Sequence, residues 1–371
     1  MIRTIVSGAL ASKAHKGGEA WVRLSWVLGL RRLGAEVTLV EEVPGDPGPE
    51  ARAYFDAVVS EFSLDGAAAL VAADGRVLSG LRELDDLAAE ADLLVNVSGN
   101  LRLERLRRRV RRSAYVDLDP GYTQLWHEQG VEIGLSGHDT YFTVGLELGS
   151  PRCGLPANGI RWRPLPPPVV LDEWPAVPPP GALGAPFTTV ASWRGAYGPV
   201  EAGGRRYGVK AHEFRKVAEL PTRSRHRFEL ALDIDPADSE DLDALKRNGW
   251  RVVDPVAAAG APSAFRRYVQ SSAGEFSVAQ GIYVETRSGW FSDRTTRYLA
   301  SGRPALVQDT GFGATLPVGE GLLAFRTLEE AVAAAEKIGE DHERHSRAAR
   351  ALAEEHFDSD RVLTRFLEQA L

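Results

Sequence analysis

The chain has 371 residues, which at about 150 residues per domain suggests two domains. With 44% apolar and 26% charged residues it has a globular composition, and no run of about 18 apolar residues is present to cross a membrane. The net charge of −7 argues against nucleic acid as a partner, and the single cysteine, Cys153, excludes a disulfide framework and a cysteine-based zinc site.

The first half of the sequence alternates strand and helix patterns. We predict strands at 2–6, 36–40, 92–97, 114–118 and 140–144, and helices at 20–33 and 81–91. A helix between two strands forms a βαβ unit, whose strands run parallel with a right-handed crossover. The opening segment is therefore expected to be a strand and not a signal peptide, which favours a cytoplasmic location without membrane insertion.

A proline-rich segment, 163–186, divides the chain and favours extended backbone. We place an N-terminal domain at 1–165, a linker at 166–186 and a second domain at 187–350. A C-terminal helix at 351–371 is a candidate to pack back on the first domain. The oligomeric state stays open.

The second half alternates in the same way. We predict strands at 187–192, 228–234, 250–254, 281–285 and 305–307, and helices at 241–248, 293–300 and 328–371. The arginine-rich run 105–112 in the first half reads as a solvated helix face, with phosphate binding as the alternative. Two doubly wound α/β domains place a ligand beyond the carboxyl ends of their strands, in a cleft between them.

The most informative stretch, 268–312, carries a small-residue turn before a helix. The turn contains Ser288, Gly289, Trp290, Phe291 and Ser292. A glycine there allows a ligand to approach the backbone, and the free N–H groups of the first helical turn favour an anion such as a diphosphate. Alternatively, Ser292 is only the helix N-cap.

The segment 298–313, YLASGRPALVQDTGFG, resembles the nucleotide-sugar-binding domain of GT-B glycosyltransferases. The likeness extends to a bacterial branch of these enzymes through SGWFSDR in the second half and through GGEAWVRLSWVLGLRRLGAEV, VDLDPGYTQLW and GHDTYFTVGLELGSPRCGLPANGIRW in the first. It implies two Rossmann-like domains facing a cleft, with the acceptor on the side of the N-terminal domain and the nucleotide sugar bound by the second domain. It also implies metal-independent hexosyl transfer. The implied substrates are a nucleotide-diphosphate sugar, with no further cofactor, and a small-molecule acceptor of natural-product type.

One departure from the family concerns two glutamates separated by seven residues. Many retaining members hold the ribose with the second of them. Aligning this chain on Gly302 places Gly289 and Arg297 at those positions. The nearest carboxylates are Glu275, Glu285 and Asp293, so the ribose contact and the stereochemical class stay open.

The resemblance also suggests where the donor binds. Lys210, one of only six lysines, and Arg294 are candidates to neutralise the diphosphate leaving group, because fixed cations stabilise the growing negative charge. A surface lysine is the alternative for Lys210. The remaining substrate-binding candidates are Gly17, Gly18, Trp193, Glu275 and Asp293, together with the turn residues 288–292.

Three residues are candidates for the catalytic base: His15 in the first loop, His138 beside Asp139, and Asp119. An exposed loop histidine and an ordinary Asp-Pro-Gly turn are the alternatives. Asp117 and Asp119 also form an Asp-x-Asp pattern like the metal site of GT-A enzymes. The same pattern occurs at 233–235 and 241–243, so it is not specific, and no metal is expected.

Two other functions are compatible with this fold. A nucleotide-sugar epimerase would convert the donor without an acceptor, and a non-catalytic accessory protein would bind the donor without turnover. A dinucleotide oxidoreductase is disfavoured because no G-x-G-x-x-G follows the first strand.

Overall fold

The computed structural model describes residues 1–178 and 184–371. Its α/β architecture has two sheets with helices packed on them. The first sheet has eight strands in the order β4-β3-β2-β1-β5-β6-β7-β8. These strands are β1 Arg3–Ser7, β2 Glu36–Val43, β3 Ala68–Ala72, β4 Val77–Gly80, β5 Leu93–Val97, β6 Arg112–Asp117, β7 Thr140–Thr143 and β8 Trp162–Pro164.

Five helices accompany this sheet. They are α1 Gly17–Arg32, α2 Pro49–Glu61, α3 Leu84–Glu90, α4 Glu104–Arg107 and α5 Tyr122–Glu128. Only the β3–β4 pair is antiparallel. The central strands are buried on both faces, which explains why β3 (AALVA) and β5 (LLVNV) are nearly continuous apolar runs and do not alternate.

The second sheet has six parallel strands in the order β13-β12-β9-β14-β15-β16, and a separate hairpin, β10-β11, precedes its first helix. The strands are β9 Phe187–Ser192, β10 Val200–Ala202, β11 Arg205–Tyr207, β12 Phe228–Asp233, β13 Arg251–Val253, β14 Gly274–Ser277, β15 Ala305–Gln308 and β16 Leu322–Phe325. The helices are α6 Lys210–Arg215, α7 Leu220–Arg223, α8 Ser239–Arg247, α9 Pro255–Ala259, α10 Pro262–Gln270, α11 Gly281–Thr286 and α12 Asp293–Ala300.

The C-terminal segment folds as α13 Leu328–Glu340, α14 His342–Leu352, a π-helical turn Ala353–Phe357 and α15 Ser359–Ala370. The last helix packs on the first half of the chain. The Phe366 ring centroid lies 4.9 Å from that of Trp26 and 4.7 Å from that of Phe142. Arg32 also donates hydrogen bonds to both carboxylate oxygens of Asp360. The end of the chain thus joins the helices around the first sheet.

The proline-rich segment is ordered where the structure describes it. The backbone N–H of Val169 donates to the carbonyl of Phe357, and the N–H of Ser359 donates to the carbonyl of Val169. Trp174 is fully buried. Residues 179–183 of the proposed linker lie outside the described residues.

Two of the predicted elements are wrong. The segment 281–285 was expected to be a strand but forms α11, and the strand of that unit is β14, which the sequence reading missed. A short apolar run does not distinguish a buried strand from one helical turn. In the arginine-rich run 105–112, only the first residues are helical, because Arg112 already begins β6. No helix among the described residues is both long and apolar enough to span a bilayer.

Candidate functional site

The two halves meet at the carboxyl ends of their strands, in two zones on either side of a central cleft. In the first zone, α1 contacts α9 and α10. The indole N–H of Trp21 donates to the carbonyl of Pro262 (2.9 Å), and the hydroxyl of Tyr54 donates to the carbonyl of Gly260 (3.0 Å). A Cβ on Gly17 would lie only 2.4 Å from the Ala261 oxygen. The glycines that begin α1 therefore permit close approach of the second half, and Gly18 packs likewise on Phe265.

In the second zone, the loop after β7 covers the turn before α12. The N–H groups of Leu146 and Glu147 donate to the carbonyls of Gly289 and Ser288, each at 3.1 Å. Gly289 has φ +71°, and a Cβ there would lie 2.5 Å from the Glu147 nitrogen. The small residue in this turn thus accommodates the backbone of the first half, where the sequence reading expected a ligand.

The rest of that turn is also engaged by protein groups. Ser292 caps α12 by accepting from the Arg294 N–H (3.2 Å). Phe291 is buried and stacks on Phe357, with ring centroids 5.0 Å apart. Asp293 forms an ion pair with Arg297 within α12. The N-cap interpretation of Ser292 therefore describes its contacts in this structure.

Between the two zones, Arg294 is held by a buried carboxylate. Its Nε donates to Oε1 of Glu275 (2.7 Å), Nη1 donates to the carbonyl of Val190 (3.0 Å), and Nη2 donates to the hydroxyl of Ser277. Glu275 is 0% exposed, and burial raises the pKa of its carboxyl while Arg294 opposes that shift. Glu275 consequently orients Arg294 from beneath and is not itself accessible to a ligand.

Lys210, the first residue of α6, is a second cation of this cleft. Its backbone N–H donates to Oε1 of Gln280 (2.6 Å), whereas its ammonium has no hydrogen-bond or ion-pair partner in the described part of the chain. Burial is the largest cause of a low pKa at Lys210, and Arg294 adds to it; with Glu275 and Asp119 acting in the opposite direction, the pKa is lowered to about 7. A poorly solvated cation without a partner is suited to receive an anion.

Asp119, in the turn after β6, lies close enough to Lys210 to raise the pKa of its ammonium. Its neighbour Asp117 is fully buried and accepts hydrogen bonds from Asp119 N (2.9 Å), Thr123 Oγ1 (2.6 Å) and Thr143 Oγ1 (2.8 Å). Asp117 therefore shapes the turn, and its oxygens are already used. Among the residues described, no group of three or more His, Cys, Asp or Glu side chains is arranged to hold a metal ion.

The Asp119 carboxylate contacts the other half of the molecule. Its Oδ1 accepts a hydrogen bond of 2.8 Å from the hydroxyl of Tyr283 on α11. Burial raises the pKa of Asp119 to about 6; the hydrogen bond from Tyr283 opposes the shift, and Asp117 adds to it. Such a carboxyl changes its protonation state close to neutral pH.

The two candidate histidines both contact other protein groups. His15 has φ +58° and hydrogen-bonds to Glu50 of α2 (2.9 Å). His138 is 8% exposed before β7, at the amino end of that strand; its Nδ1 donates to Leu135 O (2.9 Å), and its Nε2 accepts from Asn96 (3.0 Å). Burial lowers its pKa to about 4, which favours the neutral ring. The structure therefore does not bring His138 to the cleft.

The two candidate tryptophans have different positions. Trp193 is buried in the second half, where its indole N–H donates to Asp241 (2.9 Å). Trp290 lies between the halves: its indole N–H donates to the carbonyl of Leu118 (3.2 Å), and its ring stacks on Tyr283 at 4.6 Å. Of the pair, Trp290 is the one that contacts both halves, whereas the ring of Trp193 is buried and not exposed to a ligand.

Several side chains of this region were missed by the sequence reading. Glu41, 0% exposed on β2, accepts from the backbone N–H groups of Leu10 (2.6 Å), Ala11 (2.9 Å) and Ser12 (2.8 Å), and so fixes the loop after β1. A glutamate within the apolar run EVTLVEEV is the signal that could have revealed it. Glu19, which is paired with Arg23, also lies near Asp119.

Arg297 occupies the position where retaining relatives carry the second glutamate. It is fully buried, and its Nη2 donates to Ser25 Oγ of the first half (3.3 Å). Its guanidinium also lies 6.0 Å from the centroid of the Trp174 ring. Arg297 therefore joins the two halves, and its side chain offers no carboxylate for a ribose.

Comparison with solved structures identifies the fold as that of GT-B glycosyltransferases. An alpha-glucosyltransferase in complex with UDP-glucose and DNA containing an abasic site has a TM-score of 0.62 at 10% identity, covering 100% of this chain and 98% of that chain. Anabaena HepE in complex with UDP and glucose has a TM-score of 0.61 at 11% identity, covering 100% and 99%. Sucrose-phosphate synthase from Thermosynechococcus elongatus has a TM-score of 0.57 at 12% identity, covering 100% and 98%.

No protein-family model matches the sequence, and no curated protein matches it. At identities of 10–12% the structural likeness shows the fold alone. It nevertheless corrects one expectation. The sequence reading excluded nucleic acid as a partner, but alpha-glucosyltransferases with this fold are seen in complex with DNA. A negative net charge describes the whole molecule and does not exclude a local surface that binds phosphates.

Proposed function

We propose that the chain is a glycosyltransferase that transfers a sugar from a nucleoside-diphosphate sugar to a small-molecule hydroxyl acceptor. The observation that carries the proposal is the position of Lys210, which lies close enough to Arg294 of the second half and to Asp119 of the first for both to shift its pKa. The cations would act on the diphosphate that leaves, and the carboxylate would act on the acceptor hydroxyl that attacks.

The donor diphosphate would bind against Lys210 and Arg294. As the bond between the anomeric carbon and the diphosphate breaks, negative charge grows on the leaving group, and oriented cations stabilise it. Glu275 keeps Arg294 in place through a 2.7 Å ion pair, and the Lys210 ammonium gains the partner that it lacks. UDP and UDP-glucose occupy solved structures with this fold, which makes uridine nucleotides the first donors to test.

The acceptor would bind on the first half, beside Asp119. A carboxyl with a pKa of about 6 is deprotonated at neutral pH and remains basic enough to assist removal of a hydroxyl proton. The acceptor oxygen then attacks the anomeric carbon, the proton moves to Asp119, and the nucleoside diphosphate leaves towards the two cations. This step needs no metal ion.

The proposal is tested by measuring nucleoside diphosphate release from UDP-glucose in the wild type, Asp119→Asn and the surface control Asp74→Asn. The acceptor panel includes small-molecule alcohols and DNA carrying hydroxymethylated bases. We expect acceptor-dependent release that falls by about 100-fold in Asp119→Asn, since a general base typically contributes this much, and is unchanged in Asp74→Asn.

Other results would favour other functions. Conversion of the donor sugar without an acceptor would identify an epimerase, and tight nucleotide binding without turnover would identify an accessory protein. If DNA is glycosylated and none of the small-molecule alcohols is, the acceptor is DNA and the small-molecule part of the proposal is wrong. Full activity of Asp119→Asn would show that Asp119 is not the catalytic base.

A further inference from the structure

A single tyrosine connects the donor-side half of the molecule to the Asp119 carboxylate. Tyr283 lies on α11, is 3% exposed, and donates its hydroxyl hydrogen to Asp119 Oδ1 at 2.8 Å. Asp119 belongs to the turn between β6 and α5 in the other half. The hydrogen bond therefore exists only while the two halves are in contact.

The position of Tyr283 is fixed by packing on both sides of this contact. Its ring stacks on Trp290 with centroids 4.6 Å apart, and Trp290 itself donates to the carbonyl of Leu118 at 3.2 Å. The adjacent Ile282 packs on Gly121, where a Cβ would lie 2.9 Å from Ile282 Cγ1. Helix α11 and the turn 118–121 therefore dock as complementary surfaces, and the tyrosine hydroxyl is held against the carboxylate.

The two oxygens of Asp119 have different surroundings. Oδ1 is engaged by Tyr283, whereas Oδ2 forms no hydrogen bond with any residue that the structure describes and is not sealed from solvent. The backbone of Asp119 is anchored separately, because its N–H donates to the buried Asp117. Rotation of the carboxylate is thus restrained by one partner, and the other oxygen is left available to a substrate.

We propose that Tyr283 is a positioning residue that orients Asp119 for proton abstraction when the two halves close. This inference rests on the proposed function. Because the hydroxyl comes from the donor-side half, the base is oriented only in the state in which donor and acceptor face each other. Separation of the halves breaks the hydrogen bond from Tyr283 to Asp119. The orientation of the base therefore depends on contact between the two halves.

Several charged and titratable groups face Asp119. The carboxylates are Asp117 and Glu19, the cations are Lys13 and Lys210, and the phenols are Tyr115, Tyr122, Tyr197 and Tyr283. Of these phenols, only Tyr283 hydrogen-bonds to Asp119 within the described residues. A hydrogen bond to the charged form lowers the pKa of a carboxyl, so its removal raises the pKa of Asp119 above about 6.

The experiment compares Tyr283→Phe with Tyr122→Phe, whose ring lies 6.0 Å from Tyr283 and whose hydroxyl does not bond to Asp119. Asp119 must be deprotonated to act as a base, so the acid limb of the kcat/KM profile of Tyr283→Phe should move to higher pH by about one unit. At a fixed pH on that limb, kcat/KM of Tyr283→Phe should be about ten-fold lower than that of the wild type. The nucleoside diphosphate Kd should stay unchanged, and Tyr122→Phe should follow the wild type.

The pKa of Asp119 is also measured directly, by NMR titration of its carboxyl in the folded wild type and both variants. This readout does not depend on turnover. A higher pKa in Tyr283→Phe alone supports the inference, and equal pKa values or equal shifts in both variants overturn it. If Asp119→Asn retains full activity, the base assignment of the proposed function fails; if that variant is inactive and the Tyr283→Phe profile is unmoved, only the role of Tyr283 fails.

Discussion

At the residue scale, burial shifts the pKa values of Lys210 and Asp119 in opposite directions, and in both it favours the neutral form. It lowers the pKa of Lys210 to about 7 and raises that of Asp119 to about 6. Both shifts have the same cause, because removal from water disfavours the charged form of any group. Near neutral pH the site therefore contains an ammonium that loses its proton easily and a carboxylate that gains one easily.

Lys210 gives a prediction on stability. Its folded pKa of about 7 lies below that of a free lysine, so the charged ammonium destabilises the fold. This destabilisation has its full value below pH about 7, and it disappears as the pH rises towards the pKa of about 10.4 that the lysine has in the unfolded chain. We expect Lys210→Met to raise the melting temperature, and to do so more at pH about 6 than at pH about 9.

The control for this measurement is Lys246→Met, because Lys246 is exposed on α8. Thermal unfolding of the three proteins at both pH values decides the outcome. A melting temperature of Lys210→Met that is lower than the wild type at the lower pH would show that Lys210 stabilises the fold as an ordinary surface cation.

Residue types predicted some members of the cleft and not others. Lys210, Arg294 and Asp119 were selected from the sequence, and in the structure both Arg294 and Asp119 lie near Lys210; their roles remain predictions. Trp193 and His138 were selected on the same grounds but are buried elsewhere. Whether an aromatic or imidazole ring faces a cleft depends on tertiary packing, which its neighbours in sequence do not determine. Tyr283 was missed because it lies in the segment assigned to a strand.

At the element scale, the long βαβ units were predictable and the short elements were not. The strand, helix and strand of 2–40 appear as β1, α1 and β2, since two short apolar runs rich in β-branched residues flank a longer apolar segment, and a glycine, Gly34, ends the helix. The helix α11 was misassigned, and α2, α9 and α10 were not proposed. The last two bear on the site because their junction contacts the start of α1.

The contact at the start of α1 gives a prediction for Gly17→Ala. The new methyl would lie 2.4 Å from the Ala261 oxygen and 2.7 Å from the Ala259 oxygen, both backbone atoms that do not move aside easily. Alanine has the better helix propensity, but overpacking costs more, and we expect a loss of about 1–3 kcal/mol in the free energy of unfolding.

Denaturant unfolding measures this loss. Gly45→Ala is the matched control, because no atom lies within 4 Å of a Cβ built there. The transfer rate of Gly17→Ala should fall as well, since the halves cannot approach as closely. Stability equal to or above that of the control would mean that the first contact zone adapts without strain.

At the scale of the whole molecule, two mainly parallel sheets face each other with the carboxyl ends of their strands, and contacts in two zones hold the halves together. Arg297 bonds to Ser25 across the halves, and α15 returns the end of the chain to the first half. This arrangement is the GT-B fold, which sequence alternation and the Tyr298–Gly313 motif predicted. The partner class was not predictable in the same way, because net charge does not reveal local surfaces.

The central claim is that the cleft binds a nucleoside diphosphate through Lys210 and Arg294. The most direct test is thermal stabilisation of the wild type and Lys210→Met by UDP, TDP, GDP, ADP and NAD, because a ligand that binds only the folded state raises the melting temperature. We predict that one nucleoside diphosphate, with UDP the first candidate, stabilises the wild type and that the stabilisation is largely lost in Lys210→Met. Stabilisation by none of the diphosphates, or by NAD alone, would contradict the account.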